Sequence, residues 1–215
     1  MKKVIYILLI TLLLLTGGVV YSKRLISKLE DKTIVIDPGH GGKDSGTLYD
    51  NILEKDINLA IALKLKEKLK QHNVDVLLTR KGDYDLSSPN ANRRKKSDFD
   101  NRIEFINNSK ADLYLSIHIN YLSDSRYYGA QTFYIKGNET LANSIQDVFK
   151  TDLKSPLNEK VINDSIYMYK RLNIPGVLIE CGFISNSIER EMLVTSDYQD
   201  KIVDSIVEGL VNYYN

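Results

Sequence analysis

The 215-residue chain has an ordinary globular composition, with 43% apolar and 27% charged residues, and it is long enough to fill one hydrophobic core. Its 29 basic and 28 acidic residues leave a formal net charge of +1, which gives no electrostatic basis for binding nucleic acid. The single cysteine, Cys181, excludes a disulfide within the chain.

The N-terminus carries a segment with the length and polarity of a membrane-inserted helix. Two lysines precede the uncharged, Leu- and Ile-rich stretch Val4–Ser22, whose nineteen residues approach the roughly 30 Å of a bilayer core. Residues 1–24 are therefore predicted to be a signal peptide or, since no Ala-x-Ala cleavage site follows, an uncleaved membrane anchor. A buried core helix is the remaining interpretation. We expect a linker over 25–32 and a domain over 33–215, exported to the extracytoplasmic face of the membrane.

The domain begins with a predicted strand that ends in a glycine-rich loop. The β-branched run Ile34–Ile36 is typical of a buried strand, and Asp-Pro-Gly ends it with turn-forming residues. His40 follows directly, beside two more glycines that let the backbone come close to any group that the histidine binds. A histidine at the end of a rigid strand suits a metal ligand or a general base, although the same pattern is also common in plain structure.

Helices and strands alternate along the rest of the chain. Apolar residues four apart predict a helix over Glu54–Lys70, and Val74–Thr79 is predicted to be the next strand. The further predictions are helices over Asn101–Asn108, Leu141–Leu153 and Tyr198–Tyr213, strands over Ala111–Ile119, Gly129–Ile135 and Pro175–Ile179, and an edge strand over Ser165–Tyr169. This order predicts a single α/β domain with a twisted, mostly parallel or mixed sheet of about six strands and helices on both faces, preceded by the N-terminal hydrophobic helix.

The segment Arg80–Asp100 combines loop-forming residues with a basic run, Arg93-Arg94-Lys95-Lys96. One interpretation is an exposed loop with solvated charges. The other is a rim that meets an anionic polymer.

Two of the three histidines follow predicted strands. His118 ends the apolar run Leu113–Ile117 as His40 ends the first strand, and side chains at strand ends of an open sheet converge. Each histidine considered separately is more typical of a hydrogen-bonded structural residue, but the pair favours a shared site. His72, in the polar turn after the first helix, is interpreted as exposed and without a role.

Two acidic residues complete the candidate site. Glu54 begins the first helix. A simpler role than metal binding is that its negative charge interacts favourably with the N-terminal end of the helix dipole. Glu180 directly follows an apolar strand, and a charge there requires a partner, a metal or a catalytic role. Cys181, next to it, is expected to point to the opposite face as a small core residue rather than to act as a ligand or redox switch.

A His, Glu, His set with an open position is typical of catalytic zinc, which lowers the pKa of its water to about 7. A second carboxylate outside the ligand set, a role that suits Glu180, can take the proton of that water and return it to a leaving nitrogen. The His-x-x-x-His motif of zincins is absent from the sequence.

Five motifs in register resemble a known enzyme family. They are Ile36–Gly42, Glu54–Leu59, Leu78–Arg80, Ala111–Asn120 and Ile179–Asn186. In this order they resemble the zinc-dependent N-acetylmuramoyl-L-alanine amidases of the amidase-3 family, over residues 33–213. The resemblance implies Zn²⁺ bound by His40, Glu54 and His118, with Glu180 as catalytic acid/base. It also implies hydrolysis of the amide that joins N-acetylmuramic acid to L-alanine in peptidoglycan.

Within the family, the chain is most similar to the sporulation amidases. The similarity is carried by the short anchored architecture, the Tyr128–Tyr134 strand and the Ile-Glu-Cys-Gly-Phe sequence. It implies removal of peptide stems before muramic-δ-lactam forms in spore cortex, a location in the forespore intermembrane space, and an activating lipoprotein partner as in some clostridial relatives. Tyr127, Tyr128 and the Arg80–Asp100 segment are the predicted partner surfaces.

Two other functions remain open on the sequence. A different zinc peptidase, such as a carboxypeptidase acting on wall peptides, would need a cation to hold its substrate's free carboxylate; the candidates are Arg80, Arg93, Arg94 and Arg102. A catalytically silent wall-binding module would be expected to lack a ligand or the catalytic acid, and all four residues are present.

Overall fold

A six-stranded sheet forms the centre of the computed structural model, which describes residues 29–162 and 166–215. Its strands are β1 (Thr33–Pro38), β4 (Asp75–Leu78), β5 (Leu113–Asn120), β6 (Gln131–Tyr134), β7 (Lys160–Val161) and β8 (Gly176–Phe183), in the spatial order β4-β1-β5-β8-β6-β7. Neighbouring strands from β4 to β8 run parallel, whereas β6 is antiparallel to β8. A separate hairpin consists of β2 (Leu48–Tyr49) and β3 (Ile52–Leu53).

Helices cover both faces of the sheet. They are α1 (Glu54–Lys70), α2 (Arg94–Asn108), α3 (Glu139–Asp152), α4 (Ser187–Leu193) and α5 (Ser196–Tyr214). The larger core packs α1, α3 and α5 against one face, and a smaller core packs α2 and the 3-10 turn Tyr169–Arg171 against the other. Within the described ranges, no helix is long and apolar enough to cross a bilayer. The predicted anchor, residues 1–24, lies outside those ranges.

Side-chain alternation along β5 decides which residues face the smaller core. Leu115 and Ile117 pack in the larger core, and Tyr114 packs in the smaller one. Because successive side chains of a strand point to opposite faces, Ser116 and His118 lie on the Tyr114 side.

The same alternation operates along β8. Ile179 and Cys181 are fully buried in the larger core, and Leu178 belongs to the smaller one. Glu180 therefore faces the α2 side. The interpretation of Cys181 as a core residue is confirmed.

The predicted α/β fold is confirmed, with several local differences. The helix predicted over Asn101–Asn108 begins at Arg94, where a buried Arg102–Asp98 pair one turn apart stabilises its first half. The edge strand predicted over Ser165–Tyr169 is wrong for the described part, Ile166–Tyr169. Two consecutive residues there, Met168 and Tyr169, are both buried, so the segment turns into the 3-10 turn instead of alternating. The β2–β3 hairpin and α4 were not predicted.

The domain also extends slightly upstream of β1. Leu29, within the predicted linker, is only 2% exposed and packs in the larger core.

Candidate metal centre and active site

The candidate site lies at the carboxyl ends of three adjacent parallel strands. His40 follows β1 by two residues, and His118 lies near the end of β5. Glu180, in β8, is paired in register with His118, so both side chains project from the same face. This edge is where open parallel sheets form their binding crevices.

Three side chains converge there on a common point. His40 Nε2 lies 3.1 Å and His118 Nδ1 lies 3.0 Å from the same oxygen, Glu54 Oε1. One ligand atom from each residue lies within 4.8 Å of the others, and the two imidazole rings are nearly perpendicular at 78°. Tetrahedral zinc with bonds of about 2.0–2.1 Å places its ligand atoms about 3.3 Å apart. Two imidazole nitrogens and a carboxylate at these separations fit a zinc ion.

Hydrogen bonds orient Glu54, the first residue of α1. Its Oε2 accepts the Thr47 N–H at 2.8 Å, and its Oε1 accepts the Ile119 N–H at 3.2 Å. Burial raises the pKa of this carboxyl, but the two histidines outweigh burial and hold the pKa well below its usual range. Glu54 is therefore ionised, as a metal ligand must be.

A second carboxylate faces the far side of the His40 ring. Asp44 Oδ2 lies 3.0 Å from His40 Nδ1. Burial lowers the pKa of His40, but Asp44 and Glu54 together outweigh it and raise the pKa to about 9. A carboxylate on the second nitrogen of a metal-binding histidine fixes the ring orientation and strengthens the ligand.

Glycines provide the space in which these ligands meet. A Cβ on Gly39 would lie 2.2 Å from His118 Cε1, so the imidazole can only occupy its position above a glycine. Gly46 has a left-handed φ of +64°, and its Cβ would lie 2.6 Å from Glu54 Oε2. His40 itself adopts a φ of 63°, which costs energy for a non-glycine residue and must be held by its surroundings.

Arg102, which is 1% exposed, holds that strained loop from α2. Its Nη2 donates to the His40 carbonyl at 2.6 Å, and its Nη1 donates to the Pro38 carbonyl at 2.9 Å. The same guanidinium donates to Asp37 at 2.6 Å and to Asp98 at 3.0 Å. The buried ion pairs thus fix the backbone that carries His40.

Arg80 supports the same loop from the other side. This fully buried arginine donates to the carbonyls of Pro38 and Gly39, each at 3.0 Å, and to that of Lys55 at 2.8 Å. Arg80 and Arg102 are therefore committed to the backbone and are not available to hold a substrate carboxylate. Their role was missed at the sequence level; the signals were the Leu-Thr-Arg motif and the four-residue spacing of Asp98 and Arg102.

Glu180 contributes a carboxyl oxygen that has no hydrogen-bond partner in the described part of the chain. Its Oε2 is buried and makes no hydrogen bond within residues 29–162 and 166–215, and Glu180 lines a cavity of about 220 Å³ that His40 and His118 also line. The other walls are mainly apolar and include Phe99, Tyr167, Met168 and Leu178. Burial, with the nearby negative charge of Glu54, raises the pKa of Glu180 to about 8, and His40 opposes this shift. A carboxyl group with this pKa can exchange a proton near neutral pH.

His72 takes no part in this cluster. It is half-buried in the turn after α1, rather than fully exposed as predicted.

Comparison with known proteins identifies the family of this chain. Residues 34–212 match the family model described as N-acetylmuramoyl-L-alanine amidase. The chain belongs to this family. The germination-specific N-acetylmuramoyl-L-alanine amidase of Bacillus subtilis (strain 168) is 38% identical over 192 residues, which cover 86% of this chain and 81% of the relative. The amidase LytC of the same strain is 32% identical over 200 residues, covering 90% of this chain but 38% of LytC.

Solved structures of amidases show the same fold. The CwlD amidase from Clostridioides difficile, in complex with the GerS lipoprotein, superposes with a TM-score of 0.81 at 42% identity, covering 85% of this chain and 98% of that one. An N-acetylmuramoyl-L-alanine amidase from Clostridium difficile 630 superposes with a TM-score of 0.75 at 33% identity, covering 85% and 96% of the two chains. The enzyme class expected from the sequence motifs is thereby confirmed: the protein is an N-acetylmuramoyl-L-alanine amidase.

Proposed function

We propose that this amidase is zinc-dependent, that His40, Glu54 and His118 bind the zinc, and that Glu180 is the catalytic acid/base. The observation that carries the proposal is the buried Oε2 of Glu180, which has no hydrogen-bond partner among the residues that the structure describes; Glu180 lines the same cavity as two of the three candidate ligands. A carboxyl group in that position has no structural partner to satisfy, which favours a role in proton transfer.

The side chains around the cavity have different roles in amide hydrolysis. Zinc in this site would supply a Lewis acid that polarises the scissile carbonyl and acidifies water. Glu180 Oε2 takes a proton from the attacking water and delivers it to the L-alanine nitrogen as the C–N bond breaks. Burial raises the pKa of this carboxyl from its usual value toward the neutral range, where one group can take up a proton and then give it back.

The remaining residues keep this geometry fixed. Asp44 places a carboxylate 3.0 Å from His40 Nδ1, and Arg102 holds the His40 carbonyl. Phe99 and Leu178 line the cavity with apolar surface, which limits competing water.

The test uses the full-length protein in mild detergent with purified peptidoglycan, with zinc and after chelation. We expect free stem peptides that begin with L-alanine, released only with zinc. Glu180→Gln should bind zinc stoichiometrically while releasing stems about 10²- to 10⁴-fold more slowly. Glu208→Gln, at an exposed position of α5, is the matched control. Full activity of Glu180→Gln, or activity that survives chelation, would contradict the proposal, and shortened peptides still attached to glycan would indicate a carboxypeptidase.

We also propose a role in spore cortex, where the enzyme strips stems before muramic-δ-lactam is made. The similarity to the germination-specific amidase of B. subtilis supports this role. Cortex from a strain lacking the protein should then contain no muramic-δ-lactam by muropeptide analysis, and unchanged lactam content would contradict the role. Residues 1–24, as signal peptide or anchor, would place the domain outside the cytoplasm, in the forespore intermembrane space.

A lipoprotein partner is proposed on the similarity to CwlD, which was solved in complex with GerS. Tyr127 and Tyr128 are 49% and 50% exposed, as a contact surface requires. Tyr128 also lines a cavity of about 480 Å³ that contains none of the four proposed site residues. Replacing both tyrosines by alanine should weaken co-purification of the lipoprotein. Unchanged co-purification and activity would contradict the proposal that these tyrosines form the contact surface.

A further inference from the structure

The basic run Arg93–Lys96 forms the N-terminal end of α2, the helix that contributes Phe99 to the active-site cavity. Phe99, one turn after Lys95, lines the cavity together with the catalytic groups. Lys95 Nζ lies 5.8 Å from the centre of the Phe99 ring and 3.6 Å from Asp44 Oδ2. That oxygen is itself 3.0 Å from His40 Nδ1, so a single carboxylate separates the Lys95 ammonium group from a proposed metal ligand.

Two of the other cations in the run, Arg94 and Lys96, already pair with carboxylates. Arg94 Nη1 pairs with Asp85 at 2.5 Å. Lys96 Nζ pairs with Asp100 at 2.6 Å. Each of these carboxylates therefore has a close cation of its own.

Lys95 differs because it shares its carboxylate. Asp44 lies closer to His40 than to Lys95, and its Oδ1 accepts the Gly46 N–H at 3.3 Å. The Lys95 side chain is 61% exposed, and an ammonium group has three N–H donors. Most of its capacity to bind an anion is thus unused.

Aromatic rings form an apolar slot beside this cation. Tyr167 stacks on Phe99 with ring centres 6.4 Å apart, and both rings line the cavity. The Tyr167 hydroxyl donates to Asp100 at 2.6 Å, and the Arg171 guanidinium lies 3.7 Å from the centre of its ring. The slot is therefore fixed in place, with an apolar wall and a cation at its edge. This combination suits a small aliphatic residue followed closely by a carboxylate.

We propose that Lys95 binds a carboxylate of the acidic peptide stem, so that the enzyme discriminates between stems in which the residue after L-alanine carries a free carboxylate and stems in which that group is amidated. This inference rests on the proposed function, since it takes the His40–Glu54–His118 centre as the place where the L-alanine amide is cleaved. It also favours the second of the two interpretations of the basic run given by the sequence, in which these residues form a rim that contacts an anionic polymer.

The test measures binding separately from hydrolysis. Two synthetic muropeptides that differ only in this group, carboxylate or carboxamide, are titrated into zinc-loaded, full-length Glu180→Gln protein in detergent. The same titrations use Glu180→Gln combined with Lys95→Gln, with Lys95→Arg, or with Lys150→Gln, a control that removes the same charge from α3 on the opposite face of the sheet.

We expect the carboxylate form to bind more tightly than the carboxamide form. Lys95→Gln should weaken binding of the carboxylate form about 3- to 10-fold, and the ratio between the two Kd values should fall to about one. Lys95→Arg should keep the ratio, since it keeps the charge, and Lys150→Gln should not change it. A lysine that acted only through Asp44 would change both Kd values by the same factor, and this result would overturn the inference. So would equal binding of the two muropeptides, or no binding of either.

Hydrolysis by the wild-type protein, measured in parallel, decides the proposed function independently. If neither muropeptide is cleaved in the presence of zinc but the Kd ratio depends on Lys95, the reaction is wrong and the carboxylate site stands. If both are cleaved and the ratio does not depend on Lys95, the reaction stands and the carboxylate site is wrong.

Discussion

Arg102 joins the fold to the candidate metal centre, and Arg102→Met tests that connection. Its guanidinium is 2% exposed and pairs with two carboxylates, Asp37 and Asp98, that are each 2% exposed. Methionine is about as long but carries no charge. The substitution would leave both carboxylates buried without their cation and would release the carbonyl of His40.

The expected loss of stability follows from these contacts. Removing one partner of a buried ion pair costs about 3–5 kcal/mol. Two carboxylates are affected here, but each keeps another donor: the Thr79 hydroxyl donates to Asp37 at 2.6 Å, and the Leu86 N–H donates to Asp98 at 2.7 Å. We therefore expect a decrease in the free energy of unfolding of about 3–5 kcal/mol at pH 7, rather than twice that value.

The pH dependence of this decrease has a definite sign. Burial raises the pKa of Asp37, but Arg102 and Thr79 outweigh it and hold the pKa below its usual value. The ion pair therefore stabilises the wild-type protein above the unfolded-state pKa of about 3.9, and this contribution is lost as the pH falls through the lower, folded-state pKa. Without Arg102, burial raises the pKa and acid relieves the unpaired charge. The difference between wild type and variant should thus shrink toward low pH.

Urea unfolding of the metal-free protein, followed by far-UV circular dichroism, measures the effect. Arg126→Met is the matched control, because Arg126 is 89% exposed and pairs with Asp124 on the surface, where solvent screens the pair and its contribution to stability is small. Equal losses of stability in the two variants would refute the reasoning. Zinc affinity, measured by competition with a chelator, should fall about 10- to 100-fold in Arg102→Met because the His40 loop is no longer held.

Three further predictions concern the centre and its support. Gly39→Ala should lower zinc affinity at least about tenfold, because the new Cβ would lie 2.2 Å from His118 Cε1 and displace the ring; metal titration measures this. Because Asp44 and Glu54 raise the pKa of His40 to about 9, zinc binding should release more protons at pH 7.5 than at pH 9.5, where His40 has already lost most of its proton; calorimetry in buffers of different ionisation enthalpy counts the protons. Glu189→Gln should lower the free energy of unfolding by about 1–3 kcal/mol, since the buried carboxylate accepts two backbone N–H groups; urea unfolding checks this.

Each of these predictions has a control or a contrary result. Gly82→Ala, whose Cβ would meet nothing closer than 3.4 Å, should bind zinc normally, and equal losses in both glycine variants would contradict the steric argument. Proton release that is the same at pH 7.5 and pH 9.5 would show that His40 is not the group displaced. Glu191→Gln, at an exposed position of the same helix, should leave stability nearly unchanged.

Local patterns in the sequence were sufficient for most of the fold. The β-branched run before Asp37 gave β1, and apolar residues four apart gave α1 with both ends correct, Glu54 and Lys70. The placement of His40, His118 and Glu180 at one edge also followed from sequence, because each lies at or near the end of a strand and parallel strands end together.

Sequence patterns gave the wrong prediction where contacts with distant residues determine the conformation. The basic run was predicted to be a loop, but α2 begins at Arg94. The segment before Tyr169 was predicted to be a strand, but it turns because Met168 and Tyr169 both pack against the smaller core.

The tertiary structure alone decided what holds the candidate centre together. Arg102 reaches His40 across 62 positions in the chain, and Arg80 reaches Gly39 across 41. It also decided that Phe99 lines the cavity, that Lys95 lies beside Asp44, and that Glu180 Oε2 has no hydrogen-bond partner among the described residues. These properties are burial, charge pairing and the absence of a hydrogen bond. They depend on which groups from distant parts of the chain pack together. Helical or strand periodicity indicates which face of its own element a residue occupies. It carries no information about the groups that the fold brings against that face.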